Sequence, residues 1–189
     1  DLKGLIDYMK ANKDTVTVAN AGIGAASHLC GMMLMSALQT QLTTVPYKGP
    51  GPAMTDLLGG QVDVMCDQTT NTTKQIQGGT IKAYAVTSPA RLGNLPDIPT
   101  AEEAGLPGFQ VGIWHGIYAP KGTPTEVTER LSKSLQLALK DPNVVARFAE
   151  LGTVPSAEAD ATPAAFKAKL EGEIARWKPV IEAAGQFAD

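Results

Sequence analysis

His28 and His115 are the only histidines in the chain, and Cys30 and Cys66 the only cysteines. None of the four stands at metal-ligand spacing, and neither an H-E-x-x-H nor a paired-cysteine motif occurs. Ser27 and His28 are sequence neighbours, so on a helix they point about 100° apart and cannot form a nucleophile–base pair. There is no G-x-S-x-G elbow and no G-K-[ST] of a Walker loop. The absence of such a set weighs against catalysis and turns attention to binding.

The stretch that could bind is VTVANAGIGAASHLCGMMLMSAL, residues 16–38. A β-branched run stops at Asn20, a small-residue loop follows, and an apolar helical pattern opens near Ser27. A helix N-terminus presents backbone N–H groups without intrahelical acceptors and a partial positive charge, a combination suited to an anion. Gly22 and Gly24, with Ala21, Ala25 and Ala26, leave room for a ligand to reach the backbone, and Ser27 can cap the helix or donate its hydroxyl. Charge-assisted hydrogen bonds contribute roughly 1.5–3 kcal/mol each, so three or four on one carboxylate supply much of the ~8 kcal/mol of micromolar binding. The same residues equally fit a tight, capped turn that holds no ligand.

Gly22-x-Gly24-x-x-Ser27 nearly matches a dinucleotide fingerprint, but that fingerprint needs an acidic residue some 20 positions on to hold a ribose. No Asp or Glu stands between Asp14 and Asp56, so nucleotide binding is set aside. His28 reads as a helix-packing or capping residue, with ligand contact as its other role. Asp67 closes the strand-like run VDVMC and faces the presumed cleft. It caps the next helix, or it serves as a polar gate for the far end of the ligand or for an amino group. The triplet at Asn71 matches a glycosylation acceptor, with nothing else to support it. Two cysteines fit one disulfide or two buried thiols, and reduced core residues is the reading taken.

Composition is that of an ordinary globular protein. Hydrophobic residues make up 43% and charged residues 19%, as in soluble domains. A net charge of -3 leaves no basic footprint for nucleic acid or an anionic membrane. The most apolar segment, Leu29 to Leu38, falls short of the ~18 residues of a membrane span. No cofactor is implied. Asp1 leads straight into the helical pattern LKGLIDYMKAN, so the N-terminus reads as a cut rather than a natural start.

Helix over 2–12, strand over 16–19, helix over 26–40, strand over 42–45, a short helix after Pro50 and Pro52, strand over 62–66, helix over 69–77 and strand over 81–88 follow in turn. This alternation predicts an α/β fold with a doubly wound, mostly parallel sheet. RLGNLPDIPTAEEAGLPG, with three prolines and three glycines, reads as a surface excursion with one helical piece near Thr100–Ala104. FQVGIWHGIYAP reads as a long strand. Helices follow over 124–140, 143–151 and 163–184, with TVPSA as room for one short strand. Val127, Leu131, Leu135 and Leu139 form one stripe; Phe166, Leu170, Ile174, Trp177 and Ile181 form another. These stripes are expected in core contacts, yet residues 112–189 hold too few strands for a sheet of their own, so the stripes need a partner this sequence does not contain.

VPYKGPGPAMTDLLGGQVDVMCDQ, residues 45–68, together with ANAGIGAASHL, IKAYAVTSPARLGNLPDIPTAEEAGLPGF, GIYAPKGTP and the closing EAAG, resembles the Bug family. These are periplasmic solute receptors of tripartite tricarboxylate transporters. The resemblance implies a periplasmic-binding-protein-like fold (type II) of two lobes that close on a small organic carboxylate. That ligand class covers di- and tricarboxylates, aromatic acids and acidic amino acids. Membrane transporter subunits are the implied partners, the periplasm is the implied location, and no enzymatic activity is implied. Residues 1–111 correspond to the complete second lobe, and residues 112–189 to the hinge crossover and C-terminal helices of the first. The N-terminal part of the family pattern is missing. On this resemblance the ligand-binding set is Asn20, Ala21, Gly22, Gly24, Ala25, Ser27, His28 and Asp67. Two departures stand out: Ala25 occupies a place where the family often has threonine, and Cys66 one where an aromatic residue is usual. A doubly wound enzyme acting on a carboxylated or phosphorylated metabolite is the alternative, and a ligand sensor without a transport partner a third reading.

Overall fold

The computed structural model describes residues 1–184; Gly185, the last residue of EAAG, and the four that follow lie outside the described residues. The chain divides into two compact units, Asp1–Ile113 and a second from Trp114 onward.

The first unit is α/β. Helix α1, Leu2–Ala11, starts on Asp1, whose side chain accepts the Gly4 amide at 2.7 Å. Strand β1, Thr17–Asn20, leads into helix α2, Ala26–Leu38; β2, Thr43–Pro46, leads into α3, Pro50–Leu58; and β3, Val64–Met65, leads into α4, Thr69–Gln77. The three strands form one parallel sheet in the order β2-β1-β3. Parallel neighbours need crossovers, and α2 and α3 supply them. Val18, Ala19 and Asn20 of the central strand are all buried. Successive strand side chains point to opposite faces. Val18 accordingly joins Met9, Val16, Met32, Met35, Leu38 and Leu42, while Ala19 packs with Ala53 and Val62. Burial on both faces is the doubly wound arrangement the alternation predicts.

Apart from α3, which begins at Pro50 rather than after Pro52, the α-helices lie within two residues of the sequence expectation; β1 and β2 keep four residues, each shifted by one, while β3 shrinks from 62–66 to Val64–Met65. Residues 81–88 do not form the expected fourth strand. Val86 makes a single parallel bridge to Thr100, with its amide donating to the Pro99 carbonyl and its carbonyl accepting from Ala101. Pro99 has no N–H to continue the ladder. Residues 109–120 are also not a strand; the Val111 amide and the Thr87 hydroxyl tie that segment down at one point. The expected helical piece at 100–104 is a turn closed by a reciprocal pair, Glu103 amide to Thr100 Oγ1 and Thr100 amide to Glu103 Oε2. The reading of Cys30 and Cys66 as free thiols is corrected: they are disulfide-bonded, with Cα atoms 6.0 Å apart. The two lie 36 residues apart in sequence and meet only because β3 returns beside β1, under α2.

The second unit is helical among the described residues: α5, Thr125–Ala138; α6, Pro142–Glu150; and α7, Pro163–Ala184. Asp141 caps α6 through the Asn143 and Val144 amides, with Pro142 at the first helical position. TVPSA forms no strand, and Val154 is exposed. The apolar stripes are not fully buried: Val127, Leu131 and Ile174 are exposed, and neither α5 nor α6 has a buried residue. The physical reason is that this unit offers no sheet face to cover them. Phe166 finds aromatic neighbours instead, edge-on to Trp114 and tilted against Tyr118.

Candidate ligand-binding site

In a parallel sheet the loops after the strands gather at one edge, where ligands of open α/β folds bind. Here those loops are 21–25 after β1, 47–49 after β2 and 66–68 after β3. The first two are joined by backbone: the Tyr47 amide donates to the Asn20 carbonyl at 2.9 Å and the Gly49 amide to the Ala21 carbonyl at 3.1 Å. The first and third are joined by the Cys30–Cys66 disulfide, one turn into α2 and directly before Asp67.

The predicted loop residues come together as one unit, Asn20 to His28. Asn20, Ser27 and His28 are buried. Asn20 Oδ1 accepts the Gly22 amide at 3.0 Å, Ser27 Oγ accepts the Ala21 amide at 2.8 Å, and His28 Nδ1 accepts the Gly24 amide at 3.2 Å. The Ala25 amide donates to the Gly22 carbonyl. Four amides of the glycine loop are therefore satisfied inside the loop. These four are thus not among the donors that the sequence offers to a ligand. The bond to Gly24 uses the Nδ1 lone pair, which places the neutral ring's proton on Nε2. Two positive φ angles make the fold of the loop possible, +121° at Gly22 and +80° at Gly24. At Gly22 a Cβ would also stand 3.2 Å from the Tyr47 carbonyl oxygen.

The donors that remain are those of the helix start. Ala25 is the N-cap of α2 and offers no side-chain cap. Among the described residues the amides of Ile23, Ala26 and Ser27 have no protein acceptor. Ser27 Oγ, already an acceptor from Ala21, keeps its own O–H to donate. Ile23 stands between the two glycines and is exposed. The result is an uncapped helix N-terminus on an internally braced loop.

Asp67 does not cap α4, whose N-cap is Gln68. Its half-buried carboxylate accepts from Asn71 Nδ2 at 3.2 and 3.4 Å. Burial pushes this carboxyl above its ordinary value, against the opposing pull of the Gln68 amide and the Asn71 side chain. Tyr47 donates its hydroxyl to Asp56 at 2.7 Å, and that hydrogen bond raises its pKa. Sequence reasoning passed over Tyr47, Gly49 and Asn71. The four-residue spacing of Asp67 and Asn71 on a helical pattern was available as a signal; the ties of Tyr47 and Gly49 to the first loop need the β1–β2 register.

A receptor-family model described as "Tripartite tricarboxylate transporter family receptor" matches residues 1–186. The chain belongs to that family. The chain is similar to a UPF0065 protein from the TAR-I ttuE-ttuC' intergenic region of Agrobacterium vitis, at 54% identity over 96% of this chain and 53% of that protein. It therefore spans about half the length of that curated relative. Among solved structures it is similar to the periplasmic binding protein BugD, at 54% identity and TM-score 0.91, over 97% of this chain and 61% of that one. It is also similar to MatC from Rhodopseudomonas palustris with bound malate, at 38% identity and TM-score 0.91, over 96% and 62%. These neighbours fix the periplasmic-binding-protein fold for the part of the family pattern that this chain covers. No helix among the described residues is long and apolar enough to cross a membrane.

Proposed function

We propose that this chain is the ligand-gripping part of a periplasmic receptor that captures a small dicarboxylate and hands it to the membrane subunits of a tripartite tricarboxylate transporter. One carboxylate of the ligand meets the amides of Ile23, Ala26 and Ser27 and the Ser27 hydroxyl at the start of α2. Asp67, held by Asn71, faces the other end and selects for a hydroxyl or amino donor there. Residues 1–111 serve as one lobe, and residues 112–189 as the crossover and helical part of the other. The observation that carries the reading is the uncapped N-terminus of α2 on a loop whose other amides are used internally. It leaves a few converging donors of the right polarity for one carboxylate. A relative of this fold holds malate, which supplies the ligand class. An enzyme is disfavoured, since the family is one of receptors and no nucleophile–base pair accompanies the loop.

Titration calorimetry on the full-length receptor carrying this chain tests the proposal, with malate as probe and the monocarboxylate lactate as control. Malate is expected to bind with a Kd of about a micromolar, near -8 kcal/mol, and lactate at least about a hundredfold more weakly. Absence of binding by malate, succinate and adipate alike overturns it.

A further inference from the structure

The sheet holds its two outer strands unequally. β2 pairs with β1 over four residues, from Thr17↔Thr43 to Asn20↔Pro46, and the Tyr47 and Gly49 amides carry the connection on into the ligand loop. β3 pairs with β1 over only two, Val18↔Val64 and Ala19↔Met65. The ladder thus ends before Asn20, and on this side backbone pairing does not reach the edge where the site lies. At that point Cys66 follows Met65 and is bonded to Cys30. Cys30 is buried in the cluster with Ala101, Phe109 and Val111. It stands three residues after Ser27, on the same side of α2. Cys66 directly precedes Asp67.

We infer that the Cys30–Cys66 disulfide is a positioning element of the binding site, taking over where the β1–β3 ladder stops. It fixes the start of α2, with Ser27 and its bond to Ala21, relative to the segment carrying Asp67 and Asn71. A two-residue ladder leaves the β3 end free to splay, and a cross-link whose Cα atoms are 6.0 Å apart prevents that. The disulfide is also consistent with an oxidising compartment. The inference about ligand affinity rests on the carboxylate reading above; the inference about loop order does not.

The test compares the full-length receptor with its Cys30→Ala/Cys66→Ala variant. A third sample is wild type reduced by a dithiol, which transfers two electrons and two protons to give two cysteine thiols and a cyclic disulfide, and is then reoxidised. Amide hydrogen exchange is expected to quicken about tenfold or more at residues 21–28 and 66–71 on loss of the bond, while α1 changes little. The malate Kd is expected to rise about tenfold, equivalent to ~1.4 kcal/mol, and to recover on reoxidation. If exchange in the two loops matches wild type, or quickens equally throughout the first unit, the disulfide is merely a general stabiliser and the positioning role is overturned. Receptor that binds none of malate, succinate and adipate in any form overturns the carboxylate reading instead, and the exchange pattern still decides whether the bond orders the loops.

Discussion

Ser27 Oγ lies 2.8 Å from the Ala21 amide nitrogen and accepts its hydrogen bond. One hydroxyl of the first turn of α2 therefore braces the start of the loop that precedes the helix. Ser27→Ala removes the acceptor and leaves a part-buried N–H unpaired, which costs about 1–3 kcal/mol. The structure thus couples the stability of the loop to its capacity to bind. Urea unfolding is expected to show the loss, and malate titration a several-fold weaker Kd. An unchanged urea midpoint removes the bracing role.

Gly22 and Gly60 both have positive φ, but only Gly22 is hemmed in. Its φ of +121° is nearly exclusive to glycine, and a Cβ there stands 3.2 Å from the Tyr47 carbonyl oxygen. Gly22→Ala is expected to cost about 1–3 kcal/mol and to weaken malate binding by displacing the loop. Gly60, with φ +67° and open space around it, is the control: Gly60→Ala costs about 1 kcal/mol and leaves malate affinity as it was. Thermal melts and calorimetry on the two variants separate strain from site geometry.

Asp63 Oδ2 accepts from both the amide and the hydroxyl of Thr17, each at 2.8 Å, and Thr17 Oγ1 accepts the Asp63 amide at 3.0 Å. This clasp joins β1 to the turn before β3 at the amino ends of the strands, the edge away from the candidate site. Asp63→Ala is expected to lower stability by about 1 kcal/mol, since the groups are exposed to water, with malate affinity unchanged. A matching loss of affinity shows that the two edges of the sheet are coupled.

Asp67 makes stability depend on pH in an identifiable direction. Its folded pKa is raised above the ordinary 3.8, chiefly by burial, so the folded state holds a proton that the unfolded chain releases. Stability from this group is therefore full below 3.8 and falls as pH rises through the folded value. Asp67→Asn removes that loss. The melting temperature of the variant relative to wild type is expected to rise as pH increases from 3 toward neutrality. A flat difference indicates that the carboxyl is not desolvated. Glu103 works the other way: hydrogen bonds from the Thr100 amide and Arg91 lower its pKa, so its contribution is present above 4.5 and is lost on acidification.

Much of the first unit was legible because local rules suffice there. The β-branched run before Asn20, the glycine pairs after α3 and α4, and the prolines at the start of α3 each punctuate the chain without help from distant residues. The strands over 81–88 and 109–120 failed for the converse reason. Their composition favours extended backbone, but a strand exists only where a neighbour can exchange hydrogen bonds. The neighbour that Val86 meets contains Pro99.

The sequence by itself determined that an apolar helix opens after a glycine-bearing loop, that no catalytic set accompanies it, and which receptor family the motifs resemble. Only the tertiary structure decided which amides of that loop face inward, since their acceptors are Asn20, Ser27 and His28 side chains whose orientation depends on the turn at Gly22 and Gly24. It alone joined Cys30 to Cys66, because the two are brought together by the parallel return of β3 beside β1. Periodicity and turn chemistry are properties of neighbours along the chain; hydrogen-bond partners and cross-links across a sheet are set by register, which no short stretch of sequence contains.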